Sequence, residues 1–139
     1  MKNIRKAAFL LICFSMLVSC AMSMQQGQAW LDTKTDPTNL DLSGNWMCPE
    51  FSMAQLSQDG RNVTGAFYSG GLIKGVVSGD LLSLLVYDAD TVVYIAELQV
   101  VDQGTMKGKY VQGSTSFTDS KYWGDLSRPI GMLKMPAHK

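Results

Sequence analysis

Histidine occurs once in this 139-residue sequence, as His138 in the closing "KMPAHK". That scarcity leaves no internal imidazole to act as a general base, and a chain end is a poor place to hold one. Cysteine occurs three times, too few for a disulfide framework, and no C-x-x-C pair is present. No H-E-x-x-H, G-x-S-x-G or phosphate-cradling glycine loop appears. Asp88 and Asp90 flank Ala89, but an EF-hand loop needs more oxygen ligands and a bidentate Glu at its end, and the next acid is Glu97. These acids suit a solvated turn. No metal site and no cofactor are expected, and no catalytic residue is assigned. Basic excess is missing as well, which excludes a nucleic-acid partner. Finally, the greasy stretch Ala7–Val18 is twelve residues long, whereas a transmembrane helix needs about 20.

What is present begins with that stretch. Lys2, Arg5 and Lys6 precede it and small residues follow it, the layout of a secretory signal peptide. Leu17-Val18-Ser19-Cys20 resembles a bacterial lipobox. The resemblance implies that the Cys20 thiol takes a diacylglycerol unit, that residues 1–19 are removed, and that the new amine is acylated. Two or three acyl chains, at about 0.8 kcal/mol per buried CH₂, hold a protein stably on a membrane. Ala21, where enterobacterial lipoproteins retained in the inner membrane carry Asp, points to the outer membrane. Ordinary secretion with cleavage after Ala21 is the competing reading. Loss of Lys2, Arg5 and Lys6 leaves nine basic against twelve acidic residues, a net charge of −3. The "NVT" at 62–64 has the form of a glycosylation sequon, but a bacterial lipoprotein does not meet that machinery.

Residues 20–40 are polar, with Gly and Pro and no sustained period, and are expected to form a tether after the lipidated cysteine. Trp30 and Leu31 stand out there as residues that could dock on the domain or on the bilayer. Beyond Leu42, short runs rich in Val, Leu, Phe and Tyr alternate with turn signals roughly every ten residues. The spacing predicts eight strands, near 43–48, 51–58, 62–68, 72–78, 81–87, 91–100, 105–111 and 117–126. Short connections favour an antiparallel up-and-down meander, and closure into a barrel would remove its exposed edges. The fold class is therefore all-β, with an eight-stranded barrel over 41–128 and a loose tail over 129–139.

"VTGAF", "IKGVV" and "MKGKY" each set a mid-strand glycine between two apolar residues of the same face. A glycine inside a strand weakens it, so Gly65, Gly75 and Gly108 imply a tight bend or a close approach of another group. The same alternation puts Gly44, Trp46 and Cys48 on one face, with Cys48 inward as a small apolar residue. A reactive or dimerising thiol is the alternative.

"LSGNW" followed by "DGRNVTGAFYSGG" resembles the opening of calycin barrels, the lipocalin and avidin class, which carry Gly-x-Trp on the first strand. In lipocalins an Arg at the end of the last strand packs over that Trp. The resemblance assigns the two places to Trp46 and Arg128, a cation–π cap worth about 0.5–2 kcal/mol. Avidin's biotin contacts do not carry over, because their Asn falls on Cys48 and their Tyr on Phe67, though Ser52 and Ser69 survive. A calycin-type ligand cavity would be lined by Trp46, Phe67, Tyr94, Tyr110 and Trp123. Eight strands leave an interior that a protein's own side chains can fill. The leading expectation is thus a membrane-anchored envelope lipoprotein, periplasm-facing on the outer membrane and not an enzyme. It would engage an envelope or host protein as an accessory or inhibitor, with Tyr68 and Tyr122 as candidate anchors. The alternative is a carrier of a small apolar ligand.

Overall fold

The computed structural model describes residues 21–113 and 120–137, apart from the side chain of Tyr122. In chain order the elements are β1 (Met22–Ser23), α1 (Met24–Asp32), β2 (Gly44–Cys48), β3 (Ser52–Asp59), β4 (Asn62–Phe67), β5 (Leu72–Ser78), β6 (Leu81–Asp88), β7 (Thr91–Asp102), β8 (Thr105–Gln112) and β9 (Arg128–Lys134). Two 3-10 turns, Ser120–Tyr122 and Gly124–Leu126, precede β9. Strands β2 to β9 pair antiparallel, each with the next, and β9 closes on β2 through Trp46↔Lys134 and Met47↔Leu133. The result is a closed eight-stranded up-and-down barrel, the architecture read from the spacing of runs and turns.

Alternation fills its interior. Trp46 and Cys48 from β2, Ala54 and Leu56 from β3, and Val63 and Phe67 from β4 all point inward and are buried. Ile73, Val77, Leu82, Leu84, Val86, Ala96, Leu98, Met106, Ile130 and Met132 complete the inner core. The mid-strand glycines face the same way and have a steric reason. A Cβ at Gly75 would stand 2.7 Å from the Ser83 carbonyl oxygen, and one at Gly65 or Gly108 would overlap the carbonyl of Gln55 or Glu97. The strands cross these points with no room for a side chain, as tight coiling of a small barrel requires.

The turns at 60–61, 79–80 and 103–104 gather at one end, here the floor. The turns at 49–51, 68–71 and 89–90 and the start of β9 gather at the other, the mouth. Leu42 closes the floor, with Leu40 packed beside it. The Gln58 amide ties this plug down: its Nε2 donates to the Leu40 carbonyl at 2.6 Å and its Oε1 accepts from the Leu42 N–H at 2.7 Å. The Trp46 indole N–H donates to the Leu42 carbonyl at 2.8 Å.

A second core lies outside the barrel. Residues 24–32, expected as tether, form a helix instead. Ser23 and Gln26 make a reciprocal capping box at its start, and Gly27, Trp30 and Leu31 face the wall. Nine residues are too few for a helix to stand alone in water, so packing holds this one. Trp30 and Leu31 join Met22, Val76, Leu85, Val92, Ile95, Val111 and Trp123 on the outer face of β5–β8. Each large apolar side chain buried there contributes about 1.5–3 kcal/mol. A Cβ on Gly27 would come within 2.7 Å of Leu85 Cδ1, so glycine sets how closely α1 can lie. The strap runs the length of the barrel: the Met24 N–H bonds Asp90 at the mouth, Lys34 pairs with Glu97 at 3.2 Å, and the Asp36 N–H reaches Ser78 near the floor. β6 is consequently covered on both faces, and Leu82–Val86 is buried without a break.

The end of the chain also differs from its expected form. The eighth strand is not 117–126. Residues 120–126 make 3-10 turns, and β9 falls at 128–134, in the segment expected as a loose tail. Ile130 is buried in the barrel wall, and Leu133 is exposed on its outside. The barrel domain therefore extends past Arg128. Cys20, His138 and residues 117–119 lie outside the described residues.

Candidate binding mouth

Four aromatic rings meet at the mouth, and Phe51 is their hub. It stacks on Phe67 at 5.1 Å and meets Tyr94 and Tyr110 edge-on at 5.1 and 5.0 Å. Tyr94 and Tyr110 touch at 5.6 Å. Such pairs contribute about 0.5–1.5 kcal/mol each beyond the area they bury, so the cluster is a stiff lid on the inner core. Phe51 reaches it through an irregular backbone. Ser52 has φ 126°, which breaks the alternation of β3 and lets the ring turn inward. Hydroxyls hold that conformation: Ser52 Oγ donates to Ser69 Oγ at 3.0 Å and accepts from the Ser69 N–H at 3.0 Å, and Ser69 Oγ donates to the Phe51 carbonyl. These are the two serines that the avidin resemblance left standing. Their hydrogen bonds serve the turn.

Beside the lid lies a cleft of about 340 Å³, lined by Tyr94, Tyr110, Val111, Gln112, Leu126 and Arg128. Four large apolar residues at this end are exposed: Tyr68, Leu72, Val93 and Leu126. Tyr68 and Leu126 are each about two-thirds accessible, unusual for residues of this size.

The expected cavity lining is split by the structure. Phe67, Tyr94 and Tyr110 come together under Phe51, which the sequence reading had not singled out. Trp46 is buried deeper, toward the floor, bonded to Leu42. Trp123 is not part of the interior, because it packs outside the wall with Trp30 and Leu31. The cap on Trp46 is also reassigned. Lys134 Nζ lies 5.6 Å from the ring centroid. Arg128 sits opposite Tyr110 at the mouth, six residues up the same strand, about 20 Å away. The later position of β9 moves the role from the first basic residue of the strand to the last.

The thiol near the mouth is shielded. Cys48 is fully buried, and burial pushes its pKa up to about 11. Its Sγ donates to Glu50 Oε2 at 3.6 Å. The same carboxylate oxygen accepts the Gly131 N–H at 3.5 Å, capping a donor of β9. Such a thiol is a packing group. Among the described residues no cluster of three or more His, Cys, Asp or Glu could hold a metal, and no helix is long and apolar enough to cross a membrane. No protein-family model matches the sequence, and neither a curated protein nor a solved structure is significantly similar to it.

Proposed function

We propose that this chain is a lipid-anchored protein of a bacterial envelope whose barrel is a non-enzymatic interaction module, working through its mouth. The anchor part rests on the lipobox-like Leu17–Cys20. The observation that carries the module part is the pairing of a filled interior with an apolar rim. Side chains occupy the barrel down to the Leu42 plug, while Tyr68, Leu72, Val93 and Leu126 are exposed around the mouth, where Leu126 lines the Tyr94–Tyr110 cleft; Val101, Leu133 and Met135 are exposed toward the floor. Tyr68 is the one aromatic among them and a residue type enriched at contact hot spots. A photo-reactive residue in place of Tyr68 in cells expressing the full chain tests this. A discrete adduct is expected there, and none from the same residue in place of Asp80 at the floor. Equal adducts from both ends would overturn it.

The carrier alternative draws on the cleft by Tyr94, Tyr110 and Arg128, whose roughly 340 Å³ lies at the lower edge of small-molecule sites. Native mass spectra of the protein from its own envelope separate the two. A reproducible adduct of a few hundred daltons, lost on denaturation, would make the protein a carrier.

A further inference from the structure

The geometry points to a lipid bilayer surface as the first partner of the mouth: the barrel stands mouth-down on its membrane, held there by a stub with no slack. This rests on the reading of Cys20 as the lipidated residue. A single residue, Ala21, separates Cys20 from Met22. Met22 is fully buried, paired with Val92, and followed at once by the capped helix. Two residues span at most about 7 Å, so the lipidated atom cannot stray far from the β6–β7 turn at the mouth. An envelope lipoprotein with a disordered tether would float free of its anchor. Here strand pairing begins two residues after Cys20.

The surface held at that distance exposes Tyr68, Leu72, Val93 and Leu126, whereas the exposed apolar residues toward the floor, Val101, Leu133 and Met135, are kept a strand's length from the anchor. Tyr68 lies in the β4–β5 turn, Leu72 opens β5 and pairs with Tyr87 on the neighbouring strand, and Val93 follows the β6–β7 turn beside the Met22 pairing. Aromatic and aliphatic rim residues suit the headgroup boundary, where one face is apolar and the other wet. Charge does not draw the mouth to the membrane. Asp88 and Asp90 stand at the tip nearest the chain start, and Glu50 and Asp125 share this end with Arg128. The attachment is therefore expected to weaken slightly, not strengthen, as anionic lipid is added.

The test uses full-length protein purified from an envelope with its processing intact, reconstituted in vesicles of phosphatidylethanolamine with phosphatidylglycerol and a lipid-borne quencher. The mass of the N-terminal peptide reports the anchor by itself; an unmodified Cys20 would sink the lipoprotein reading whatever the orientation. Environment-sensitive dye is placed on Tyr68→Cys or Asp80→Cys in a Cys48→Ala background. With strands of about 25 Å between the two ends, dye at 68 is expected to be quenched at least about fivefold more than dye at 80. A flexible Gly/Ser spacer inserted after Ala21 should erase most of that contrast. Equal quenching at 68 and 80 in lipidated protein overturns the proposal; a contrast unchanged by the spacer keeps the bilayer as the mouth's partner and overturns the part given to the short stub. Lipidated protein whose position 68 cross-links to a protein and shows no lipid quenching overturns it in favour of a protein partner.

Discussion

Replacing Gly108 by alanine isolates the steric demand of barrel curvature. The new Cβ would overlap the Glu97 carbonyl oxygen and stand 2.7 Å from the Leu98 Cα, both backbone atoms of β7. Carbon atoms in good contact lie about 3.5–4.0 Å apart, so β7 and β8 must separate by about 1 Å. No rotamer change relieves this, since the colliding atoms are backbone. Overpacking that forces side-chain and backbone shifts costs about 1–3 kcal/mol, and a collision with backbone atoms belongs at the top of that range. At about 4 °C per kcal/mol for a domain of this size, melting should fall by roughly 10–15 °C. Gly131→Ala is the control on the adjacent strand. Its Cβ meets nothing nearer than the Met106 carbonyl at 3.8 Å, so stability should hold or rise by about 0.5–1 kcal/mol through the loss of unfolded-state freedom. Urea titration followed by tryptophan fluorescence measures both. The reasoning is refuted if Gly108→Ala unfolds within about 0.5 kcal/mol of the parent, or if Gly131→Ala loses as much.

Other expectations concern the strap, the thiol and the Trp46 cap. Leu31→Ala should cost about 2–4 kcal/mol and speed amide exchange on the covered face of β5–β8, leaving β3 and β4 protected; uniform exchange across the barrel would contradict a strap that opens by itself. The Cys48 thiol should resist alkylating reagents at neutral pH until the protein unfolds, and rapid labelling of native protein would contradict its burial. Its raised pKa keeps it neutral in the fold while the unfolded thiol ionises, so stability should fall as pH rises from about 9 to about 11. Cys48→Ala should lack that component, as the difference between the two pH–stability curves will show. Lys134→Met should shift Trp46 emission and cost up to about 1 kcal/mol, whereas Arg128→Met should leave that emission unchanged.

Most of the barrel was legible because its signals are local. Gly, Asp and Asn mark the turns, and alternation sorts inward from outward residues, so β2 to β8 fall within a residue or two of their expected bounds. The last strand was masked by composition. "FTDSKYW" is aromatic, while "RPIGMLK" carries Pro and Gly, which strands avoid. Pro129 is tolerated as the second residue of β9, where β8 alone lies alongside and β2 joins only at Leu133 and Lys134. Helix α1 did leave signs: the Ser23–Gln26 box, and Met24, Gly27, Trp30 and Leu31 at helical spacing. The apolar run in β6, broken only by Ser83, also implied a cover on the outer face. Phe51 was hidden for a different reason. Simple alternation puts it outside with Met53, and only the backbone at Ser52 brings it in.

The strap gives the molecule a mechanical character. Tension applied at Ala21 falls first on the β1 pairings with β7 and not on the entry to β2, because the chain must travel from mouth to floor before it enters β2. The two β1 pairings yield first, peeled one by one, and the nine-residue helix follows. Residues 22–39 can then extend by up to about 60 Å before the Leu40–Leu42 plug of the barrel floor is loaded. The strap is thus a folded reserve of length that lies ahead of the barrel when the chain is pulled from its start.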